Sequence, residues 1–313
     1  MHILLKKENR DKGILIITHK EIPYIQNKLE YLKDYYIISH SGSIAPVIEQ
    51  KWISLYMVAD SRCHGDKYIP FTSRNFLHSS FHKREEEKTI DFIYVSRCNE
   101  LKETIQILKQ FKKSEKKCVM IILKQNSEDP YYKKFLKIDK GNVIVIDTHN
   151  IEIKNDIFMG FPSEQLSKYY NSAKIYIHAS EFEGESRSIQ EALSCGCLVM
   201  AKKDMKGGGL DYLNEQNSVL YTRKNISEKM EQAYQKDYKY DPDILQKTNE
   251  IYTRPKFRKL LEQKLDMYLD DCNMENLMFS LPGHNLSVSW YLKGEMTADI
   301  KSDQQFSTFL NEI

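Results

Sequence analysis

Several features are missing from this chain, and each absence removes a class of protein. No apolar run is long enough to cross a bilayer. The longest, Gly13–Ile17 (GILII) and Val119–Leu123 (VMIIL), are strand-sized, whereas a helical span needs about 20 apolar residues. The opening MHILLKKENRDK lacks an apolar stretch, so no secretory leader is expected and the protein is expected to be cytoplasmic. Charge of one sign is not in excess: Lys+Arg 46 against Asp+Glu 44 leaves a formal net charge of +2, too balanced for a nucleic-acid partner. Cysteines are few, at 63, 98, 118, 195, 197 and 272. Only Cys195 and Cys197 are close, with no second Cys or His group at ligand spacing. Buried or free thiols in a reducing compartment are expected, not a zinc site or a disulfide framework. No glycine-rich loop follows the first apolar run. His19 and His40 follow strand-like runs but read as surface or structural histidines.

What is present alternates. At 313 residues there is room for two domains, each with its own core. Between 90 and 222, strand-like runs at Asp91–Val95, Cys118–Leu123, Asn142–Ile146, Ile175–Ala179, Leu198–Ala201 and Val219–Tyr221 are separated by helix-like segments. These are Asn99–Lys113, Pro130–Leu136, Ser163–Asn171 and Ser188–Ser194. Asn99 is a fair helix cap, and Leu101, Ile105, Leu108 and Phe111 form an apolar stripe. Near-continuous apolar strands alternating with helices predict a parallel sheet covered on both faces, a Rossmann-like α/β domain. Before it, runs at Gly13–Thr18, Tyr36–Ser39 and Ile53–Val58 with a helix at Tyr24–Leu32 predict a thinner α/β unit. The charged run 82–88 (HKREEEK) reads as a linker. After 225 the pattern is helical through Cys272, and Leu286–Leu292 is strand-like.

The stretch Ser180–Ala201 (SEFEGESRSIQEALSCGCLVMA) carries the chemistry. It begins at the carboxyl end of an expected strand, where open α/β sheets place ligands. Glu183 and Glu191 flank a turn in which Gly184 permits unusual backbone angles, and Glu185–Ser188 lead into a helix. Backbone N–H groups at a helix start can cradle an anion, and carboxylates beside them can accept hydrogen bonds from sugar hydroxyls. Gly196 reads as the residue ending that helix. His178, just before the stretch, is read as packed in the core or near the sugar site, with neither preferred.

This stretch resembles the E-x7-E motif of glycosyltransferase family 4, usually written EGxxxxxxEAxACG; here it runs from Glu183-Gly184 to Glu191-Ala192 and on to Gly196. Val95–Glu103 (VSRCNELKE) is similar to the family's VGRLxxxKG. Phe158–Pro162 with Glu164, Gln165 and Leu166 is similar to FxGxVxxEEL, Lys206–Tyr221 to the Gly-Gly loop and NGxLV, and Tyr68–Pro70 before Phe76 to IPNGVDxxxF.

The resemblance covers 68–222 and implies a GT-B-like α/β fold of two Rossmann-like domains, the N-terminal one shortened. It implies a retaining glycosyltransferase that moves a sugar from a nucleotide-diphosphate sugar to a glycan, lipid-linked or protein acceptor. Neither metal nor cofactor is implied. Arg97 and Lys102 would hold the donor diphosphate, Glu191 the ribose and Glu183 the transferred sugar. The backbone of Glu185, Ser186 and Arg187, with Gly184 and Ser188, would line the donor site. Catalytic roles fall on Glu183, Arg97 and Lys102.

A non-catalytic donor-binding partner subunit, and another GT-B enzyme such as a sugar-nucleotide epimerase, are the alternatives. Peripheral membrane contact, suggested by Lys112, Lys113, Lys116 and Lys117, and a homo-oligomer stay open. The chain departs from the family pattern at Ser96 and Glu103, both glycine in the motif, and at Ser188. Glu103 is expected to bring negative charge near the phosphates. The expected division is 1–85, an acceptor-side domain; 89–254, the donor domain; and 255–313, a helix and extension. The apolar stripe Phe257, Leu260, Leu261, Leu265 and Leu269 is a candidate to complete the first domain.

Overall fold

The structure, a computed structural model, describes residues 2–5, 12–18, 22–41, 49–58, 65–69, 77, 80–123, 126–150, 161–184, 186–243, 254–266, 290–292 and 295–297. The chain divides into two compact units, Met1–Phe76 with Glu250–Ile313, and Leu77–Asn249.

In the first unit five strands lie in the order β1-β2-β3-β4-β5: His2–Leu5, Gly13–Thr18, Tyr35–Ser41, Leu55–Val58 and Tyr68–Ile69. β1 is antiparallel to β2 and the remaining pairs are parallel. Two strands, β1 and β5, exceed the three expected from sequence; at four and two residues they are too short for an alternation pattern to register. The connection α1, Ile22–Ile25, continues as a 3-10 helix through Leu32. Leu15, Ile17, Ile25, Ile37, Tyr56 and Val58 bury the unit's core.

The second unit is a six-stranded, all-parallel sheet. Its strands are β6 (Ile90–Arg97), β7 (Cys118–Leu123), β8 (Ile144–Asp147), β9 (Ala173–His178), β10 (Leu198–Lys202) and β11 (Ser218–Tyr221), in the order β11-β10-β9-β6-β7-β8. The chain winds outward from β6 to β8, then returns to β9 on the other side of β6. That reversal makes the carboxyl ends of β6 and β9 the switch point, where doubly wound sheets bind ligands. Alternate residues of β7 are all buried: Cys118, Met120 and Ile122 on one face, Val119 and Ile121 on the other. Both faces are therefore covered, as the apolar runs require. The first face packs α2 (Thr104–Lys113), α3 (Pro130–Lys137) and α6 (Ile226–Gln235) through Leu108, Phe111, Phe135 and Met230. α4 (Ser163–Ser172) and α5 (Arg187–Ser194) cover the other face, where Tyr170 and Ser188 meet Tyr176 of β9.

Three local readings are corrected. Asn99 caps only a short 3-10 turn, Glu100–Lys102, its Oδ1 accepting from Lys102 N–H at 3.0 Å. A left-handed Glu103 then separates that turn from α2, so Leu101 leaves the apolar stripe and stands 55% exposed. The segment 82–88 is no free linker: Arg84 N–H donates to Asn171 Oδ1 at 2.7 Å, Asn171 Nδ2 to His82 O at 2.9 Å, and Ser167 Oγ to Ser80 O at 2.6 Å. Those side chains of α4 bind the backbone of residues 80–84, which polarity alone does not reveal. Nor is 226–272 continuously helical: α6 ends at Gln235, and the next described helix is α7, Arg254–Leu265.

α7 belongs to the first unit. Leu261 and Leu265 are buried, and Lys264 Nζ donates to Asp66 O at 2.6 Å. The side chain of Phe257, and Leu269, lie outside the described residues, as do Cys63, Cys272, His19 and 158–160. Cys98, Cys118, Cys195 and Cys197 are buried free thiols. Of the run Leu286–Leu292 the last three residues form β12, Trp290–Leu292, antiparallel to β13, Glu295–Thr297.

Candidate active site

The switch point gathers the charged residues singled out from sequence. β6 ends at Arg97, which is exposed; its guanidinium makes no hydrogen bond or ion pair among the described residues. Five residues on, Lys102 is the last residue of the 3-10 turn. β9 ends at His178, and the loop after it carries Glu183. The backbones of the two loops join where Glu181 N–H donates to Leu101 O at 2.9 Å.

Lys102 and Glu183 form an ion pair, Nζ to Oε1, with both side chains largely buried. His178 Nε2 reaches the same oxygen at 3.3 Å. Burial would raise the Glu183 carboxyl, but His178 and Lys102 outweigh it and hold its pKa at about 2. Burial lowers the His178 pKa against the opposing pull of Glu183. The imidazole is thus neutral near pH 7, and the nitrogen facing the carboxylate must carry the proton. Its other nitrogen, Nδ1, lies 2.9 Å from the Tyr176 hydroxyl, which is itself 2.8 Å from Ser188 Oγ. Ser186 Oγ completes the cluster, 3.4 Å from His178 Nε2. With Lys102 and His178 both on Oε1, Glu183 Oε2 makes no hydrogen bond among the described residues.

The turn after Glu183 is laced to the glycine loop. Glu183 N–H donates to Lys206 O at 2.9 Å, Lys206 N–H to Glu181 O at 3.0 Å, and Gly208 N–H to Gly184 O at 2.7 Å. Gly209, at φ +116°, sits so close that a Cβ there would meet Ser186 Cβ at 2.7 Å. Glu185 lies outside the described residues. Ser186 is the residue before α5, and its side chain makes no capping bond. Glu191, one turn into α5, is buried; burial pushes its pKa up to about 7, with Arg187 pulling it back. α5 ends as expected: Gly196 at φ +77° follows Cys195, Gly196 N–H donates to Leu193 O at 3.0 Å, and Cys197 N–H to Ala192 O at 2.9 Å. This is a Schellman closure.

Glu103 differs from its reading. Its carboxylate is 3% exposed and is taken by Lys202 Nζ at 2.9 Å and Arg223 Nε at 2.5 Å. The negative charge is neutralised below the surface and not presented to an incoming anion. Lys202 and Arg223 were not legible as partners, because they lie 99 and 120 residues away in the chain. His178 reads from sequence as packed in the core or near the site; it is buried, and its place at the end of β9 sets it against Glu183. Among the described residues no group of three or more His, Cys, Asp or Glu is placed to hold a metal ion. Asp241, from the one D-x-D pattern, accepts from Asp243 N–H at 3.0 Å in a local turn.

With this geometry in hand, comparisons identify the family. The model described as Glycosyl transferases group 1 matches residues 76–244, more than half of the chain. No curated protein is similar to the chain at the level of sequence. Among solved structures, TarM of S. aureus is 16% identical, over 81% of this chain and 54% of its own, with a TM-score of 0.53. The lipopolysaccharide outer core galactosyltransferase WaaB is 15% identical, over 83% and 76%, with a TM-score of 0.54. HepE of Anabaena, solved with UDP, is 13% identical, over 83% and 79%, with a TM-score of 0.56. The chain spans little more than half the length of TarM. At these identities the likeness establishes the fold, α/β of the GT-B kind. By the match over its second unit, this chain belongs to the glycosyl transferases group 1 family.

Proposed function

We propose that the protein is a glycosyltransferase that binds a nucleotide-diphosphate sugar at the carboxyl ends of β6 and β9 and transfers the sugar with retention, without a metal. The observation that carries this is the convergence of Lys102 and His178 on Glu183 Oε1 at the switch point of the sheet. It leaves one carboxylate oxygen for a sugar hydroxyl, beside two cationic groups suited to a diphosphate, the exposed Arg97 and the half-buried Lys102. Lys102 has three N–H donors and spends one on Glu183, so others remain for phosphate oxygens. Arg97 offers a planar fork to the same group. Together with the start of α5 they stabilise the negative charge that grows on the diphosphate as the bond from the sugar's anomeric carbon breaks. Glu191 accepts from the ribose hydroxyls, and Glu183, oriented by His178, accepts from the sugar. The acceptor, a glycan, a lipid-linked sugar or a protein, supplies the hydroxyl that forms the new bond.

Relatives solved with UDP make uridine nucleotides the first to test. A thermal-shift screen of nucleotide sugars on the full chain, followed by an assay of slow donor hydrolysis, decides the reading. A bound nucleotide sugar raises the melting temperature, and its hydrolysis to free sugar and nucleoside diphosphate follows. Binding with no turnover would make the chain a donor-binding subunit. An epimerised sugar would make it an epimerase. No shift with any nucleotide sugar would end the proposal.

A further inference from the structure

Glu103 stands where the motif it resembles has glycine, and its backbone is in glycine's territory, at φ +52° and ψ 28°. Among the described residues, Asp266 alone shares this sign of φ without being glycine. A residue with a side chain stays in such a conformation only when its surroundings over-determine it. Here they do. Lys202 Nζ and Arg223 Nε both lie on Glu103 Oε1. Lys202 also reaches Glu181 Oε1 at 3.4 Å, and Arg223 Nη2 closes the ring on that oxygen at 2.6 Å. Two carboxylates and two cations cancel. They come from the loops after β6 and β9, from the last residue of β10 and from the loop after β11, so one clasp ties four strand ends at the ligand-facing edge.

Lys102 is the residue next to this clasp. Its N–H is held by Asn99 Oδ1 at 3.0 Å, and its carbonyl accepts from the Tyr94 hydroxyl at 2.8 Å. Glu103 N–H donates to Glu100 O at 3.0 Å, and Glu103 O receives Gln106 and Ile107 N–H at 2.9 and 3.0 Å. The main chain on both sides of Lys102 is therefore pinned, and the Glu103 carboxylate is the anchor on the side of α2.

We propose that Glu103 is a positioning residue for Lys102: clasped by Lys202 and Arg223, it holds the Asn99–Glu103 turn so that the Lys102 ammonium stays at Glu183, where the donor diphosphate meets it. This rests on the reading of Lys102 as a phosphate-binding residue. A purely structural clasp would hold the sheet edge without acting through Lys102.

The test uses the full chain carrying Glu103→Gly with Lys202→Met, which removes the buried carboxylate together with the buried ammonium. No charge is left buried alone, and glycine accepts the left-handed backbone freely. A second variant, Arg223→Gln, opens the clasp at its exposed member should the first fold poorly.

Two readouts are needed. In ligand-free protein, amide hydrogen exchange at positions 102 and 103 should quicken about tenfold or more relative to the β6 and β7 amides. UDP should bind about tenfold more weakly in the double variant, and with no further weakening when Lys102→Ala is already present, because coupled residues are not additive. Unchanged exchange at 102 and 103 would overturn the proposal. So would an equal loss of UDP affinity with and without Lys102. If the unaltered chain binds no UDP, the donor-site reading fails on that ground, and the exchange measurement alone decides the clasp.

Discussion

His178 Nε2 lies 3.3 Å from Glu183 Oε1, the oxygen that Lys102 also holds. The carboxylate is therefore fixed at one corner and offers the other, Oε2. If Glu183 meets the sugar as proposed, His178 acts on it only through that carboxylate, so His178→Phe should spare the nucleotide and hurt the sugar. A hydrogen bond to a charged group is worth about 1.5–3 kcal/mol, so turnover should fall by about tenfold or more while the Kd of bare UDP stays within about twofold. Steady-state kinetics with UDP calorimetry checks this. An equal loss of UDP affinity would mean that His178 supports the whole loop and not the carboxylate.

Glu191 gives a pH-dependent prediction. Its folded pKa of about 7 lies above the ordinary glutamate value of about 4.3, so folding favours the protonated form. The stability this contributes is complete below about pH 4.3 and is lost as the pH rises through about 7. At pH 8 the buried carboxylate costs up to about 4 kcal/mol. Glu191→Gln should raise the Tm at pH 8, change it little at pH 5, and weaken UDP. Thermal melts at both pH values suffice. A Tm lowered by the same amount at both would show that burial does not govern this group.

Two glycines separate stability from site geometry. At Gly196 the added Cβ meets the flexible Lys83 side chain, 2.6 Å from its Cδ, so the main cost of Gly196→Ala is the left-handed φ of +77°. That is about 1–2 kcal/mol, and UDP affinity should not change. At Gly209 the Cβ would meet Ser186 Cβ at 2.7 Å, in the turn of the site itself. Gly209→Ala should weaken nucleotide-sugar binding as well as stability. Denaturant melts and titrations of both variants check the contrast, which fails if the two behave alike.

The second unit was largely legible because its signals are local. Parallel strands buried on both faces read as apolar runs, and Gly196 announced the end of α5. The motif singles out Glu183, Lys102, Arg97 and Glu191, and the fold pairs the first two at the switch point. What escaped depends on distant partners. Glu103 reads as an exposed acid next to a lysine, and only the sheet brings Lys202 and Arg223 to it. Likewise 82–88 reads as a linker until Asn171 of α4 takes its backbone. β1 and β5 escaped for a different reason: strands this short leave no period to detect.

Arg97 has no partner to lose among the described residues, so its removal should not disturb the fold. Arg97→Ala should weaken UDP by about 1.5–3 kcal/mol with the Tm unchanged. Affinity of the unaltered chain should persist in excess chelator. Unchanged affinity in the variant would remove Arg97 from the phosphate site, and complete loss on chelation would refute metal-free binding.

The most direct measurement of the central claim is calorimetric titration of UDP and of the UDP-sugar preferred in the screen into the full chain, Glu183→Ala and Glu191→Ala. Glu191, proposed to meet the ribose, should cost both ligands alike. Glu183, proposed to meet the sugar, should leave UDP unaffected and erase the extra affinity of the UDP-sugar. The same loss for both ligands in both variants would contradict the assignment of the two glutamates, and no binding to the unaltered chain would contradict the donor site itself.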